Sequence, residues 1–193
     1  MVTAVQKILL GARGLSARLV RDCRGIAAVE FAVIVPLMLT MFFGTLEFSS
    51  GVAVDRKVTL VARTLSDLTS QSTTVTDLDL TNFTTAGKAI LTPYSVTPLL
   101  STITSLYVDS TTLVARVQWS KGSSPRTAGS TVTIPSQIQV AGTYLIMAEV
   151  NYRYVPTIGY VMAPTGVPLS DVSYTRPRQG ACVMYSTTVC TKT

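Results

Sequence analysis

IAAVEFAVIVPLMLTMFFGTL, from Ile26 to Leu46, is a run of 21 residues whose one charge is Glu30. At 1.5 Å of rise per residue a helix of that length spans ~30 Å, the thickness of a bilayer's hydrocarbon core, so the run predicts one transmembrane helix. On its N-terminal side lie Lys7, Arg13, Arg18, Arg21 and Arg24 against Asp22, whereas Arg56 and Lys57 follow it only after Glu47 and Asp55. Positive charge close to one flank marks that flank as cytoplasmic and leaves the C-terminal part of the chain outside. A cleaved secretory signal fits less well, because the run is long, carries an acid and Pro36, and lacks a small-x-small cleavage site before polar sequence. Pro36 is expected to kink or loosen the helix.

The rest of the composition agrees with a membrane protein. Of 193 residues 47% are hydrophobic and only 13% charged, against the ~25% charged share of an ordinary soluble domain. The net charge is +6, and four of those charges belong to residues 1–25. The remaining residues offer no broad basic face with aromatic platforms, so nucleic acid is not an expected partner. The chain has no histidine, which removes Ser-His-Asp and Cys-His catalysis and His-ligated zinc together. With no paired carboxylates either, the expectation is no enzyme, no catalytic residue, no cofactor and no metal site.

Glu30 is the informative charge, since a carboxylate inside a membrane helix is costly and marks function. It stands five residues after Gly25, so a cut between Gly25 and Ile26 would make it the fifth residue of a chain with a free amine. RGIAAVEFAVIVPLML resembles the N-terminal signature of TadE/TadG-like pseudopilins of the tight-adherence (Flp) type IV pilus system. That resemblance implies cleavage after Gly25 by prepilin peptidase on the cytoplasmic side, Ile26 as the mature N-terminus, and Glu30 as the acid that pairs with the new amine during assembly. It also implies the pilin-like fold: α+β, with a long N-terminal helix, half in the membrane and half amphipathic, packed on an antiparallel sheet.

The boundaries expected on this basis are a cytoplasmic leader over 1–25, a transmembrane helix over 26–47, its amphipathic continuation over 48–70, and an extracytoplasmic α+β domain over 71–193. The leader itself reads as a short amphipathic surface helix, with Ile8, Leu9, Leu15 and Leu19 toward lipid. Val54, Val58, Val61, Leu65 and Leu68 step by four and three, an apolar stripe for packing on the protein's own sheet or, alternatively, for coiled-coil pairing with another subunit. Asp77 and Asp79 read as helix-capping residues ahead of a short helix over Asn82–Leu91, burying Phe83, Ala86, Ile90 and Leu91. Ile103–Val108 and Leu113–Trp119 alternate as paired strands, with Leu113, Ala115, Val117 and Trp119 on one face. Residues 120–130 read as a flexible loop, 143–154 as the strongest strand, with Glu149 as an edge or rim acid, and everything from Pro156 onward as loop.

Cys182 and Cys190 read as a small-loop disulfide if that end is extracytoplasmic, or otherwise as two free thiols. Loss of Cys23 with a leader would leave an even count, which favours the disulfide. Arg176 and Arg178 resemble the arginine-rich ending of TadE/TadG-like proteins and form a candidate partner-binding pair. The function implied is a minor pilin-like structural or assembly protein of the bacterial inner membrane, its outer domain periplasmic or carried into the extracellular pilus. Its implied partners are prepilin peptidase, other pilin subunits, the inner-membrane assembly platform and the lipid bilayer. A static membrane-anchored binding or adhesin module is the alternative.

Overall fold

Helix α1 runs Arg24–Ser70, close to the 26–70 expected from the two successive apolar patterns. The computed structural model describes residues 24–156 and 165–191; the expected leader helix, Cys23, Gly159 and Pro164 lie outside the described residues. The chain divides into two compact units, Met1–Leu46 and Glu47–Thr193. In the first, residues 25–46 are helical with almost every side chain exposed. The helix is continuous through Pro36. Thr40 Oγ1 donates to the Pro36 carbonyl at 2.7 Å and Thr45 Oγ1 to that of Met41 at 2.8 Å, so both hydroxyls of the run are satisfied within the helix, as an apolar solvent requires.

The second unit is an α+β domain. Strands β2 (Leu100–Val108), β3 (Ala115–Gly122), β4 (Thr131–Val132), β5 (Tyr144–Tyr154) and β6 (Val167–Thr175) form an antiparallel sheet in the order β4-β3-β2-β5-β6. A second, two-stranded sheet pairs β1 (Thr74–Val75) in parallel with β7 (Met184–Tyr185). The stripe on α1 packs on the large sheet: Val54, Val58, Val61, Ala62 and Leu65 are fully buried with Ile103, Trp119, Ile146, Ala148 and Val150. Each of the valine, leucine and isoleucine side chains among them contributes about 1.5–3 kcal/mol by leaving water. Leu68 is only half-buried, and Ser66, Thr69 and Ser70 are buried instead. A seven-residue repeat drifts ~20° per heptad on a straight helix, so by the last turn the sheet-facing positions have moved off the leucine.

Helix α2 covers Asp77–Ile90 and so starts five residues before the expected Asn82. Thr76 is its N-cap, bonded reciprocally with Asp79 in a capping box, a signal that Thr-x-x-Asp carries weakly because Glu or Gln is the usual fourth residue. Leu80 and Gly87 are its buried residues, Leu91 is buried just past its end, Phe83 and Ile90 are half-buried, and Ala86 is exposed, contrary to expectation. A Cβ on Gly87 would lie 3.2 Å from Val61 and 3.4 Å from Leu65, so glycine is what lets α2 approach α1.

Three readings of the sheet need correction. Ser105 pairs with Trp119 but Leu106 pairs with Val117, a register shift. This bulge puts Trp119 on the α1 side, while Ala115 and Val117 join Leu106, Val108, Leu145 and Met147 in a second cluster beneath Ile134. A bulge breaks the period of two, so strict alternation gave the wrong face, and Leu113 stands at positive φ in the turn before β3. Residues 120–130 are not a loose loop: β3 continues to Gly122, and Arg126 is ion-paired to Glu149. The tail is not all loop either, because β6 makes nine pairs with β5. Pro168 hid it, yet an edge strand tolerates proline on its unpaired side.

Candidate processing and anchoring segment

The motif Gly25-Ile26-Ala27-Ala28-Val29-Glu30-Phe31 lies on α1 with its side chains open to the surroundings. Ile26 is 67% exposed, Val29 66% and Phe31 69%, and a Cβ built on Gly25 meets nothing within 4 Å. Such a surface is untenable in water for a whole helix, since apolar on all sides means burial or membrane. The helix is long and apolar enough to cross a bilayer, and it supports a single-pass membrane anchor. Glu30 is exposed and, among the described residues, makes no salt bridge. Ile26 and Glu30 are one turn apart on the same helix face. Side chains lean toward the helix N-terminus, so the carboxylate of Glu30 leans back over the turn that Ile26 begins.

The other candidate residues lie in the second unit and do not gather with one another. Arg176 is exposed, but Arg178 is engaged: its guanidinium pairs with Asp67, and its backbone N–H donates to the Ser70 carbonyl at 2.8 Å. Arg178 therefore satisfies the end of α1, where helix carbonyls need donors and the dipole favours a cation. Cys182 and Cys190 form a disulfide with their Cα atoms 6.5 Å apart. Their segment is held to the sheet by Trp119 Nε1, which donates to the Val183 carbonyl at 2.8 Å, and by Tyr144 Oη, which donates to that of Thr191 at 3.1 Å.

The isolated acids have partners that explain them. Glu149 stands on the inner strand β5, not at an edge, and receives Arg126 Nε at 3.1 Å and Nη2 at 2.6 Å. That two-point bond holds the Arg126 guanidinium above its ordinary range. Asp79 is held below the usual aspartate range by hydrogen bonds from the Thr76 side chain and backbone. Asp77 is lowered by a hydrogen bond with Tyr185 and by Lys121, whose ammonium stands 3.6 Å from the carboxylate and 4.4 Å over the Tyr185 ring. One contact had no signal in the sequence: Tyr154 Oη donates to Glu47 Oε2 at 3.1 Å, joining the first turn of the second unit to the end of β5 across 107 residues.

Residues 25–66 match the family model described as TadE-like protein. No curated protein and no solved structure matches the chain. The match starts at Gly25 and stops four residues before α1 ends at Ser70. Over its N-terminal helix, from the exposed apolar run to the stripe that packs on the sheet, the chain is similar to TadE-like proteins.

Proposed function

We propose that this chain is a minor pilin-like structural protein of the tight-adherence pilus, made as an inner-membrane precursor and cut by prepilin peptidase between Gly25 and Ile26. The observation that carries the reading is the coincidence of three features at one point of the chain. The TadE-like match begins at Gly25, the bond after it lies in an uncrowded, exposed stretch, and an intramembrane carboxylate follows one turn later. On this reading residues 1–25 are the leader, 26–47 cross the membrane, 48–70 continue the helix, and 71–193 form the periplasmic domain that enters or primes the pilus.

Cleavage changes the electrostatics of the helix end. The precursor has an amide at Ile26; the product has a protonated amine there, added to the positive end of the helix dipole. A lone Glu30 carboxylate in the hydrocarbon costs on the order of 2.5–3.5 kcal/mol at the helix centre and less near an end. An amine within its reach offsets that cost, whether it comes from the same chain or from a neighbour docked alongside. The apolar, outward-facing run then supplies the surface by which subunits associate with one another and with the assembly platform. TadE-like proteins are structural rather than catalytic, which supports a role without an active site.

N-terminal sequencing and intact mass of the protein isolated from cells test the proposal. The expected chain starts at Ile26, and the longer form accumulates when Gly25 is replaced or prepilin peptidase is deleted. A chain that keeps Arg24 in cells with active peptidase refutes processing and favours the static anchor. With processing intact, Glu30→Gln is expected to lower incorporation into sheared pili, and unchanged incorporation refutes the pairing.

A further inference from the structure

We propose that the groove between α2 and the start of β2 is a binding site for an acidic saccharide, which sets the carboxylate of a uronic-acid residue on Lys88 and its ring hydroxyls on the threonines of α2. The groove measures about 380 Å³, the size of a small-ligand site, and every residue lining it belongs to the second unit. One wall is the α2 face that carries Thr81, Thr84, Thr85 and Lys88, positions that share a side of a helix by their spacing of three and four. The facing wall is Ser101 on β2, with Lys121 and Gly122 at the end of β3. Gly122 stands at φ +137°, and a Cβ there would run into the Ser101 carbonyl, so glycine is what lets β3 end against Ser101.

The threonines fix what the ligand must bring. Thr81 Oγ1 donates to the Asp77 carbonyl at 2.7 Å, Thr84 Oγ1 to that of Leu80 at 2.8 Å and Thr85 Oγ1 to that of Thr81 at 2.9 Å. With their protons spent inside the helix, these oxygens offer acceptor lone pairs alone, and a ligand that meets them must carry donors. The charges fix the rest. Lys121 is held by Asp77 at 3.6 Å and by the face of the Tyr185 ring at 4.4 Å, whereas Lys88 is half-buried and, among the described residues, makes no salt bridge. Ser101 points independently to an occupant. It is only 8% exposed, shares its face of β2 with Ile103 by the alternation of a strand, and its hydroxyl has no hydrogen-bond partner among the described residues. A hydroxyl so deeply placed and not bonded within the fold is met by what enters the groove. Sulfate brings acceptors alone and leaves the threonines unmet, and an acidic peptide carries its carboxylate on a flexible stem away from its N–H donors. A uronate presents hydroxyl donors and a carboxylate on one rigid ring, which matches Lys88, Ser101 and the three threonines together.

The test uses the full chain, its disulfide left oxidised, in micelles of a zwitterionic detergent that carries neither sugar nor phosphate. Trigalacturonate is the probe, and saturation transfer from protein to ligand protons, titrated to saturation, gives its affinity. The parent is expected to bind it. Lys88→Gln should weaken binding about ten-fold or more, the worth of one charge-assisted hydrogen bond. Thr85→Val keeps the shape, removes an acceptor, and should weaken it about three-fold or more. Urea unfolding followed by Trp119 fluorescence shows that both variants are folded, so a loss of binding reports the groove. Neutral galactotriose of the same linkage should bind about ten-fold more weakly than the uronate. No transfer to trigalacturonate at millimolar concentration, or binding undiminished in both folded variants, overturns the site. Galactotriose that binds as tightly as trigalacturonate overturns the pairing with Lys88. Sulfate or triglutamate that displaces the trisaccharide at equal concentration overturns the saccharide as the ligand.

Discussion

Ser66 and Ser105 are both buried, at 0% and 1% exposure, yet their hydroxyls are in opposite states, and removing each should move stability in opposite directions. Ser66 Oγ lies 2.9 Å from Ser173 Oγ, accepts from Thr175 Oγ1 at 2.9 Å, and stands 3.0 Å from the Arg63 carbonyl. Ser66→Ala leaves two half-buried hydroxyls of β6 without their partner, at about 1–3 kcal/mol for such groups. Alanine returns roughly 0.5 kcal/mol through its better helix propensity. The net expectation is a loss of about 1–2 kcal/mol. Ser105 Oγ has no hydrogen-bond partner. Burying an unpaired hydroxyl costs about 1–3 kcal/mol, while alanine in a strand gives back up to ~1 kcal/mol of that relief. Ser105→Ala is therefore expected to be neutral or more stable, by about 0–2 kcal/mol.

Urea unfolding of the full chain in detergent micelles, followed by the fluorescence of its one tryptophan, measures both variants. Trp119 is 6% exposed and bonded to the C-terminal segment, so its emission reports the fold of the sheet. With a slope of about 1–3 kcal/mol per molar urea, the two midpoints should move apart by roughly 1 M. A Ser105→Ala chain less stable than the parent by more than about 1 kcal/mol would refute the reasoning, because the hydroxyl would then have a partner worth that much.

Two further outcomes follow from the caps and the tail. Thr76→Ala removes the N-cap of α2 and is expected to cost about 1 kcal/mol at neutral pH. Asp79 sits below its ordinary value of 3.8 because of Thr76, so its contribution is complete above that value and is lost as pH falls through its lower folded one. The gap between parent and variant should thus narrow in thermal melts as pH falls below 3.8, and a gap that stays constant counts against the capping box. Reducing the Cys182–Cys190 bond opens a loop with a sequence separation of 8 and is expected to cost about 2–3 kcal/mol. Reductant should lower the urea midpoint of the parent to that of the Cys182→Ser, Cys190→Ser chain and leave the latter unmoved.

The helix was legible because two long patterns run into each other. An all-round apolar run followed by a one-sided stripe reads as one long helix, and its ends came within two residues. The sheet was legible only where one strand is uninterrupted, as in β5. Its neighbours were misread for local reasons: a bulge beside Val117 inverted the face of Trp119, Pro168 concealed an edge strand, and a capping box built on aspartate moved the start of α2 by a turn and a half. Each is a case in which tertiary pairing supplies what the single strand or turn lacks.

The candidate site divides along the same line. Gly25, Ile26 and Glu30 could be proposed from sequence because the chemistry assigned to them rests on position along one helix and on the solvent around it, both of which sequence encodes directly. Arg178 could not be assigned that way: beside Arg176 it looks like half of a basic pair, and only the fold brings it to the end of α1, where Asp67 and the Ser70 carbonyl take its charge and its N–H. If an arginine-binding partner exists, Arg176 is the residue with a free hand to meet it, since it is exposed while its neighbour two positions on is committed to holding the helix. The same logic explains Glu47: read along the chain it is one more flanking charge, but by accepting from Tyr154 it ties the last residue of β5 to the turn of α1 that follows the apolar run.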